Sequence, residues 1–186
     1  MGLRGRANLT EEYFFFVTTT VVSFTKVFVK DIYFEILIRN IKHYQGKYKF
    51  SILAYVIMPS HFHWIVEVNP EFGTISDIMR DIKKYSAWDL MDAIQENDPE
   101  VTNIFHEHAF NFPKQKRKFW INRFDDEVLR NEKMFRTKLH YIHNNLVEEG
   151  LAIKPENYKY SSARNYVYND HSILEVDTSF AGIEMK

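Results

Sequence analysis

The clearest pattern of hydrophobic and polar positions lies between Tyr55 and Val68, where the sequence reads YVIMPSHFHWIVEV. Its second half alternates with a period of two, which is typical of a β-strand. The apolar face carries Phe62, Trp64, Val66 and Val68, and the other face carries His61, His63, Ile65 and Glu67. Phe50–Met58 also reads as a strand, and Pro59-Ser60 can join the two as an antiparallel hairpin. The hairpin therefore presents two imidazoles side by side at the start of its second strand.

Three further segments complete the predicted layout. The apolar run Tyr13–Phe24, broken by threonines, predicts a long buried strand that is too short to span a bilayer. Helical spacing predicts a helix over Lys30–Tyr44 with Gly46 as its stop, and a second helix, capped by Thr74 or Ser76, that runs to about Ile94. Residues 95–107 are acidic and irregular, and predict a loop or a short helix. We expect an α+β fold with helices packed against an antiparallel sheet.

The segment from Asn131 to Gly150 predicts a third helix with two stripes of different character. A core stripe is formed by Phe135, Leu139, Ile142 and Leu146. A flanking stripe is formed by Met134, Lys138, Tyr141 and Asn145. Tyr141 and Asn145 are four residues apart and so lie on one helix face. On this helix alone, a tyrosine that covers the edge of the core and an asparagine that faces water explain the flanking stripe equally well.

Composition narrows the class of protein. The 186 residues fit one domain over 1–186, with a core from about 10 to 168 and a C-terminal tail over 169–186. Hydrophobic residues make up 45% of the chain, which excludes a disordered protein, and the absence of cysteine excludes disulfides and thiolate metal sites. No segment reads as a targeting signal or a membrane span, so we expect a cytoplasmic protein without a membrane partner.

Charge gives no global attraction to nucleic acid, because the net charge is -1. Basic residues nevertheless gather locally, and the candidates for phosphate contact are Lys83, Lys84, Lys116, Arg117 and Arg123. Lys116 and Arg117 belong to the basic run 114–118, for which a solvated loop is the alternative interpretation. A binding face for a polyanion would have to be a local patch.

Two stretches together resemble the HUH superfamily of single-tyrosine nucleases, and especially the REP-associated tyrosine transposases and their insertion-sequence relatives. The stretches are YVIMPSHFHW, from Tyr55 to Trp64, and YIHNNLVEEGL, from Tyr141 to Leu151. Weaker agreement comes from Tyr13–Phe24, Ile78–Tyr85, Arg123–Arg130 and Pro155–Ser162. The resemblance covers the chain from about Tyr13 to Tyr166 in the order of the family.

Three positions depart from the family pattern. Leu146 stands where the family usually has proline, and Ser60 stands where it often has asparagine or glutamate. Neither change removes a ligand or the nucleophile that the resemblance implies. The segment Phe119–Asn122 lacks the usual Trp-Gln pair, so a DNA contact there is not carried over from the family.

The resemblance implies a ferredoxin-like HUH nuclease fold and a metal-dependent enzyme that cuts and rejoins single-stranded DNA. His61, His63 and Asn145 would hold Mg²⁺ or Mn²⁺, Tyr141 would be the nucleophile, and Lys138 would assist it. The expected partner is single-stranded or hairpin DNA in a bacterial nucleoid, and a homodimer is compatible with this. Two alternatives stay open: a domesticated hairpin-binding protein without cleavage, and a small hydrolase that uses the two histidines with a metal.

Overall fold

The structure is a computed structural model that describes residues 13–109 and 117–179. Four antiparallel strands form one sheet in the order β2-β3-β1-β4. The strands are β1 (Phe14–Thr20), β2 (Ser51–Ile57), β3 (His61–Glu67) and β4 (Asp125–Val128). The predicted hairpin is therefore present as β2 and β3, and β3 begins at the first of the two histidines.

The helices are α1 (Asp31–Tyr48), α2 (Ile75–Asn97), α3 (Thr102–Glu107), α4 (Glu132–Glu148) and α5 (Ala163–Tyr168). Local capping fixes where α2 and α4 begin. At the start of α2, the Thr74 side chain accepts a hydrogen bond from the Asp77 backbone N–H, and the Asp77 side chain accepts one from the Thr74 backbone N–H. This pair of hydrogen bonds is a capping box. At the start of α4, the Asn131 side chain accepts from the Met134 N–H. Short 3₁₀ turns occupy Val22–Phe24, Pro99–Val101 and Pro155–Asn157.

Both faces of the sheet are covered. On one face, Phe62, Trp64 and Val66 join the apolar sides of α1 and α2 in the larger core. On the face that carries the histidines, Ile65 packs in a second core with α4. The predicted stripe of α4 fits this arrangement, because Phe135, Ile142 and Leu146 are buried and Leu139 is partly buried beside them. The α4 helix thus lies directly over the histidine face.

Several predicted boundaries were wrong. The helix α1 passes through Gly46 and ends at Tyr48, with Lys49 in the left-handed conformation at φ 53°. The reason is tertiary: the added turn buries Tyr48 and lets its hydroxyl donate to Asp81. The strand β1 ends at Thr20, four residues early, because a 3₁₀ turn with positive φ at Ser23 and Phe24 follows it. The helix α2 extends to Asn97. The acidic segment contains the short helix α3, which agrees with the prediction of a loop or a short helix.

The chain after α4 returns to the sheet. Ser161 bridges to Val56, and the Ser162 N–H donates to the Tyr55 carbonyl oxygen at 2.9 Å. Beyond α5, Leu174 and Val176 are buried in the larger core. This segment therefore packs against the same sheet as the rest of the described chain. Within the described residues, no helix has the length and apolar character needed to cross a membrane.

Candidate active site

Two histidines at the start of β3 form the inner part of the site. His63 is buried, with 4% of its surface exposed. Thr18 lies opposite it in the register of β1, and its hydroxyl is 2.7 Å from His63 Nδ1. His61 lies on the same face, with its ring centroid 4.8 Å from that of His63 and its Nδ1 3.1 Å from Ser60 Oγ. Each ring thus engages the protein through Nδ1, which leaves Nε2 to face the site.

The α4 helix brings Asn145 against the second histidine. The Asn145 Nδ2 atom lies 3.0 Å from His63 Nε2, and the side chain is buried. Asn145 precedes Leu146, whose side chain is fully buried in the second core. Packing of the core stripe therefore sets the rotation of α4 that aims Asn145 at the histidines.

Tyr141 lies one helical turn before Asn145 and is 43% exposed. Its ring centroid is 5.2 Å from that of His63, and it meets Phe16 edge-on at 5.8 Å. No group in the described ranges forms a hydrogen bond with its hydroxyl. The tyrosine is thus held by its ring while its oxygen stays accessible from solvent.

Lys138 occupies the same flank one turn earlier. Its ammonium lies 4.5 Å from the centroid of the Phe16 ring and 2.7 Å from Glu127 Oε2 on β4. Phe16 also stacks on His63 at 5.7 Å. The lysine is therefore positioned by an ion pair on one side and by an aromatic ring that it shares with His63 and Tyr141.

The two imidazoles are neutral at physiological pH. Burial, with smaller contributions from His61 and Lys138, lowers the pKa of His63 to about 3. Burial also lowers the pKa of His61, and the Glu149 carboxylate opposes that shift. A neutral imidazole is the form that binds a metal ion.

The side chains present fit a divalent cation. A 180° rotation of the Asn145 amide group would exchange its oxygen and nitrogen, and would place the oxygen next to His63 Nε2. Two neighbouring ligand atoms of a Mg²⁺-sized ion lie about 3 Å apart, and this is the present distance between the Asn145 amide and His63 Nε2. In residues 13–109 and 117–179, no group of three or more His, Cys, Asp or Glu side chains could hold an ion. An ion at this site would therefore need the Asn145 oxygen beside the two histidines.

The described residues among those predicted to contact DNA lie on α2 and on the chain before β4. Lys83 donates to the carbonyl oxygens of Ile121 and Arg123, and so ties α2 to the chain before β4. Lys84 is exposed on α2, Arg123 is exposed in that connecting chain, and Arg117 pairs with Asp92 at 2.7 Å. The prediction for Lys116 lies outside the described residues.

Sequence reasoning missed two residues of the site and misplaced a third. Phe16 and Thr18 belong to the cluster, but only the pairing of β1 with β3 reveals this. His143 would point away from the Tyr141 stripe into solvent on an isolated helix, but in the structure it is half-buried, with Nε2 2.9 Å from Ser162 Oγ. Two other tyrosines, Tyr158 and Tyr160, donate to the Ile57 carbonyl oxygen and to the Asp31 carboxylate in hydrogen bonds that hold the fold.

Comparisons with known proteins concern the family and the fold of the chain. The family described as "Transposase IS200 like" matches residues 16–145. The fold is similar to that of a REP-associated tyrosine transposase bound to a REP hairpin, with a TM-score of 0.62 and 20% identity over 90% of this chain and 87% of that chain. A candidate transposase from Deinococcus radiodurans R1 has a TM-score of 0.47 and 15% identity over 77% of this chain and 97% of that chain. No curated protein matches the chain. The first likeness confirms the predicted α+β fold.

Proposed function

Because this chain belongs to the IS200-like transposases, we propose that it is a metal-dependent single-stranded DNA endonuclease and strand transferase. Its nucleophile would be Tyr141, and its intermediate a 5′-phosphotyrosine. The observation that carries the proposal is the cluster at the start of β3: an exposed tyrosine lies one turn from a buried asparagine, and both contact the same buried histidine.

The ligands follow from the chemistry of the side chains. His61 and His63, through Nε2, and Asn145, through its amide oxygen, would hold Mg²⁺ or Mn²⁺. When bound, such an ion polarises the scissile phosphate as a Lewis acid. The three side chains are neutral, so they leave the charge of the ion available to phosphate oxygens.

The covalent step would exchange one phosphodiester bond for another. The Tyr141 oxygen attacks phosphorus, the bond from phosphorus to the 3′ oxygen breaks, and the proton lost by the tyrosine is balanced by one that the leaving oxygen gains. The products are a 5′-phosphotyrosine and a free 3′-hydroxyl. Because a phosphodiester replaces a phosphodiester, a second 3′-hydroxyl can reverse the reaction without ATP, which is strand transfer.

Lys138 would assist the nucleophile electrostatically. Its ion pair with Glu127 and its contact with the Phe16 ring hold a positive charge on the flank where Tyr141 lies. A positive charge at this place favours the negative charge that develops on the phenolic oxygen as its proton leaves. Glu127 then acts as a positioning residue for Lys138.

The proposed substrate is single-stranded or hairpin DNA. The fold neighbour described above was solved with a REP hairpin, and a site that attacks phosphate from one exposed tyrosine suits an accessible single strand. The test is to incubate the protein with Mn²⁺ and oligonucleotides drawn from the repeats that flank its own gene. We expect cleavage with a denaturation-resistant protein–DNA adduct. Binding without cleavage would favour a hairpin-binding protein, and cleavage without an adduct would favour a hydrolase.

A further inference from the structure

A cleft of about 570 Å³ opens between α2 and the chain before β4. One stripe of α2 forms its first wall, through Lys84, Ala87, Trp88 and Met91. Residues 117–122 form the second wall, in which Phe119 and Trp120 are buried. The cleft therefore combines an apolar floor with a rim that carries Lys83, Lys84, Arg117 and Lys118.

Trp88 is the exposed aromatic surface of this cleft. The chain has three tryptophans; Trp88 is 50% exposed, while Trp64 and Trp120 are buried. Tyr85 meets the Trp88 ring edge-on at 5.2 Å and stacks on Tyr44 on its other side. This bracing holds the indole in place and leaves half of its surface exposed, although the exposure of so large an apolar ring is costly in water.

Lys84 supplies a positive charge next to that ring. Its ammonium lies 5.0 Å from the ring centroids of both Tyr85 and Trp88. No carboxylate in residues 13–109 or 117–179 lies within ion-pair distance of Lys84. Across the cleft, Arg117 is partly neutralised by Asp92 at 2.7 Å. The cleft thus presents an aromatic face beside a cation that the described protein does not neutralise.

Strand pairing connects the cleft to the histidines. The Ile121 N–H donates to the Thr20 carbonyl oxygen at 2.9 Å, and Thr20 lies opposite His61 in the register of β1 and β3. Ile121 is therefore two strand spacings, about 10 Å, from the first histidine. The cleft lies on the α2 side of the sheet and the histidines on the α4 side, so a single strand would pass over the end of the sheet where β3 begins to connect the two.

We propose that this cleft binds an unpaired nucleotide of the DNA strand near the scissile phosphate, with the base stacked on Trp88 and a backbone phosphate on Lys84. The inference rests on the proposed function and adds a subsite to it. An aromatic face with an adjacent cation is the combination that binds single strands without reading their sequence. A duplex keeps its base faces covered, so it cannot stack a base on Trp88.

The experiment measures binding in EDTA, so that cleavage plays no part. A labelled oligothymidylate is titrated with the parent protein, with Trp88→Ala and with Trp88→Phe. We expect Trp88→Ala to weaken binding by about 5- to 150-fold, the range for loss of one stacked base. Trp88→Phe should retain most of the affinity. Oligothymidylate should also quench the tryptophan fluorescence of the parent and leave that of Trp88→Phe unchanged.

Two controls isolate stacking. Phe72→Ala removes an equally exposed aromatic, at 49%, from the turn beyond the far end of β3, and should bind like the parent. An abasic oligonucleotide keeps the phosphates without the bases, so parent and Trp88→Ala should bind it alike. Equal affinity of Trp88→Ala and Phe72→Ala for oligothymidylate would overturn the proposal, as would an equal loss on the abasic strand.

The proposal and the function on which it rests fail separately. If the parent forms the protein–DNA adduct but binding does not depend on Trp88, the cleft is not a DNA subsite and the proposed function stands. If binding depends on Trp88 but no adduct forms, the cleft stands and the proposed cleavage is wrong. Trp88-dependent binding of duplex DNA at the affinity of the single strand would also overturn the stacking mode.

Discussion

His143 should make the stability of this protein fall between pH 7 and pH 5. The side chain lies on α4, with Nε2 2.9 Å from Ser162 Oγ and its ring edge-on to Tyr166 at 5.3 Å. Burial, with a smaller contribution from His140, lowers the pKa of His143 to about 4. Burial raises the pKa of Tyr166 to about 12, so Tyr166 stays neutral throughout this range. Within residues 13–109 and 117–179, no carboxylate forms an ion pair with His143 that would offset the cost of protonating this ring.

The direction and size of this change in the free energy of unfolding follow from proton linkage. In the unfolded chain the imidazole titrates near 6.5, so below that pH the unfolded state binds a proton that the folded state does not bind until about pH 4. Acid therefore stabilises the unfolded state, and stability is lost as the pH falls. With these two pKa values, His143 alone should remove about 2 kcal/mol between pH 7 and pH 5.

The assay is urea unfolding of three proteins at both pH values. His143→Gln keeps a group that can bond Ser162 but cannot titrate, so it should lose about 2 kcal/mol less than the parent on acidification. His140→Gln removes an exposed histidine from the same helix and should lose nearly as much as the parent. The other histidines are the same in the parent and in His143→Gln, so the difference between these two proteins isolates position 143. If His143→Gln loses as much stability as the parent, the ring is not held neutral by burial.

Two further predictions concern the metal and the DNA. His61→Ala should abolish Mg²⁺- or Mn²⁺-dependent cleavage while the fold stays intact. His63→Ala should abolish cleavage too, and should also lower the stability of the fold because that ring is buried. Asn145→Ala should weaken metal binding less, so that excess metal restores cleavage only to this variant. Undiminished cleavage by either histidine variant would exclude the site. Changing Lys116 and Arg117 together to Ala should flatten the salt dependence of DNA binding by about one unit per lost phosphate contact, measured by titration at several salt concentrations. An unchanged slope would return the basic run to a solvated loop.

The parts of the site that depend on local periodicity could be predicted. A strand with period two placed His61 and His63 on one face, and a spacing of four placed Tyr141 and Asn145 on one helix face. Both are properties of a few consecutive residues. The structure adds that the two faces meet, through the contact between Asn145 and His63.

The parts that depend on distant pairing could not be predicted from one sequence. Thr18 contacts His63 because of strand register, which the hydrophobic pattern of β1 alone does not specify. The strand β4 was missed because its sequence, DDEV, is mostly polar and is a strand only through its pairing with β1. His143 seemed exposed on an isolated helix, and Ser162, from beyond α4, changes its environment.

The most direct test of the account is the covalent adduct of Tyr141. Tyr141 is 43% exposed and lies beside the core stripe, so Tyr141→Phe should fold and should bind metal and DNA almost as the parent does. With single-stranded substrate and Mn²⁺, the parent should yield a denaturation-resistant adduct whose DNA-linked peptide contains Tyr141, and Tyr141→Phe should yield neither adduct nor cleavage. An adduct that still forms with Tyr141→Phe would place the nucleophile elsewhere and contradict the account.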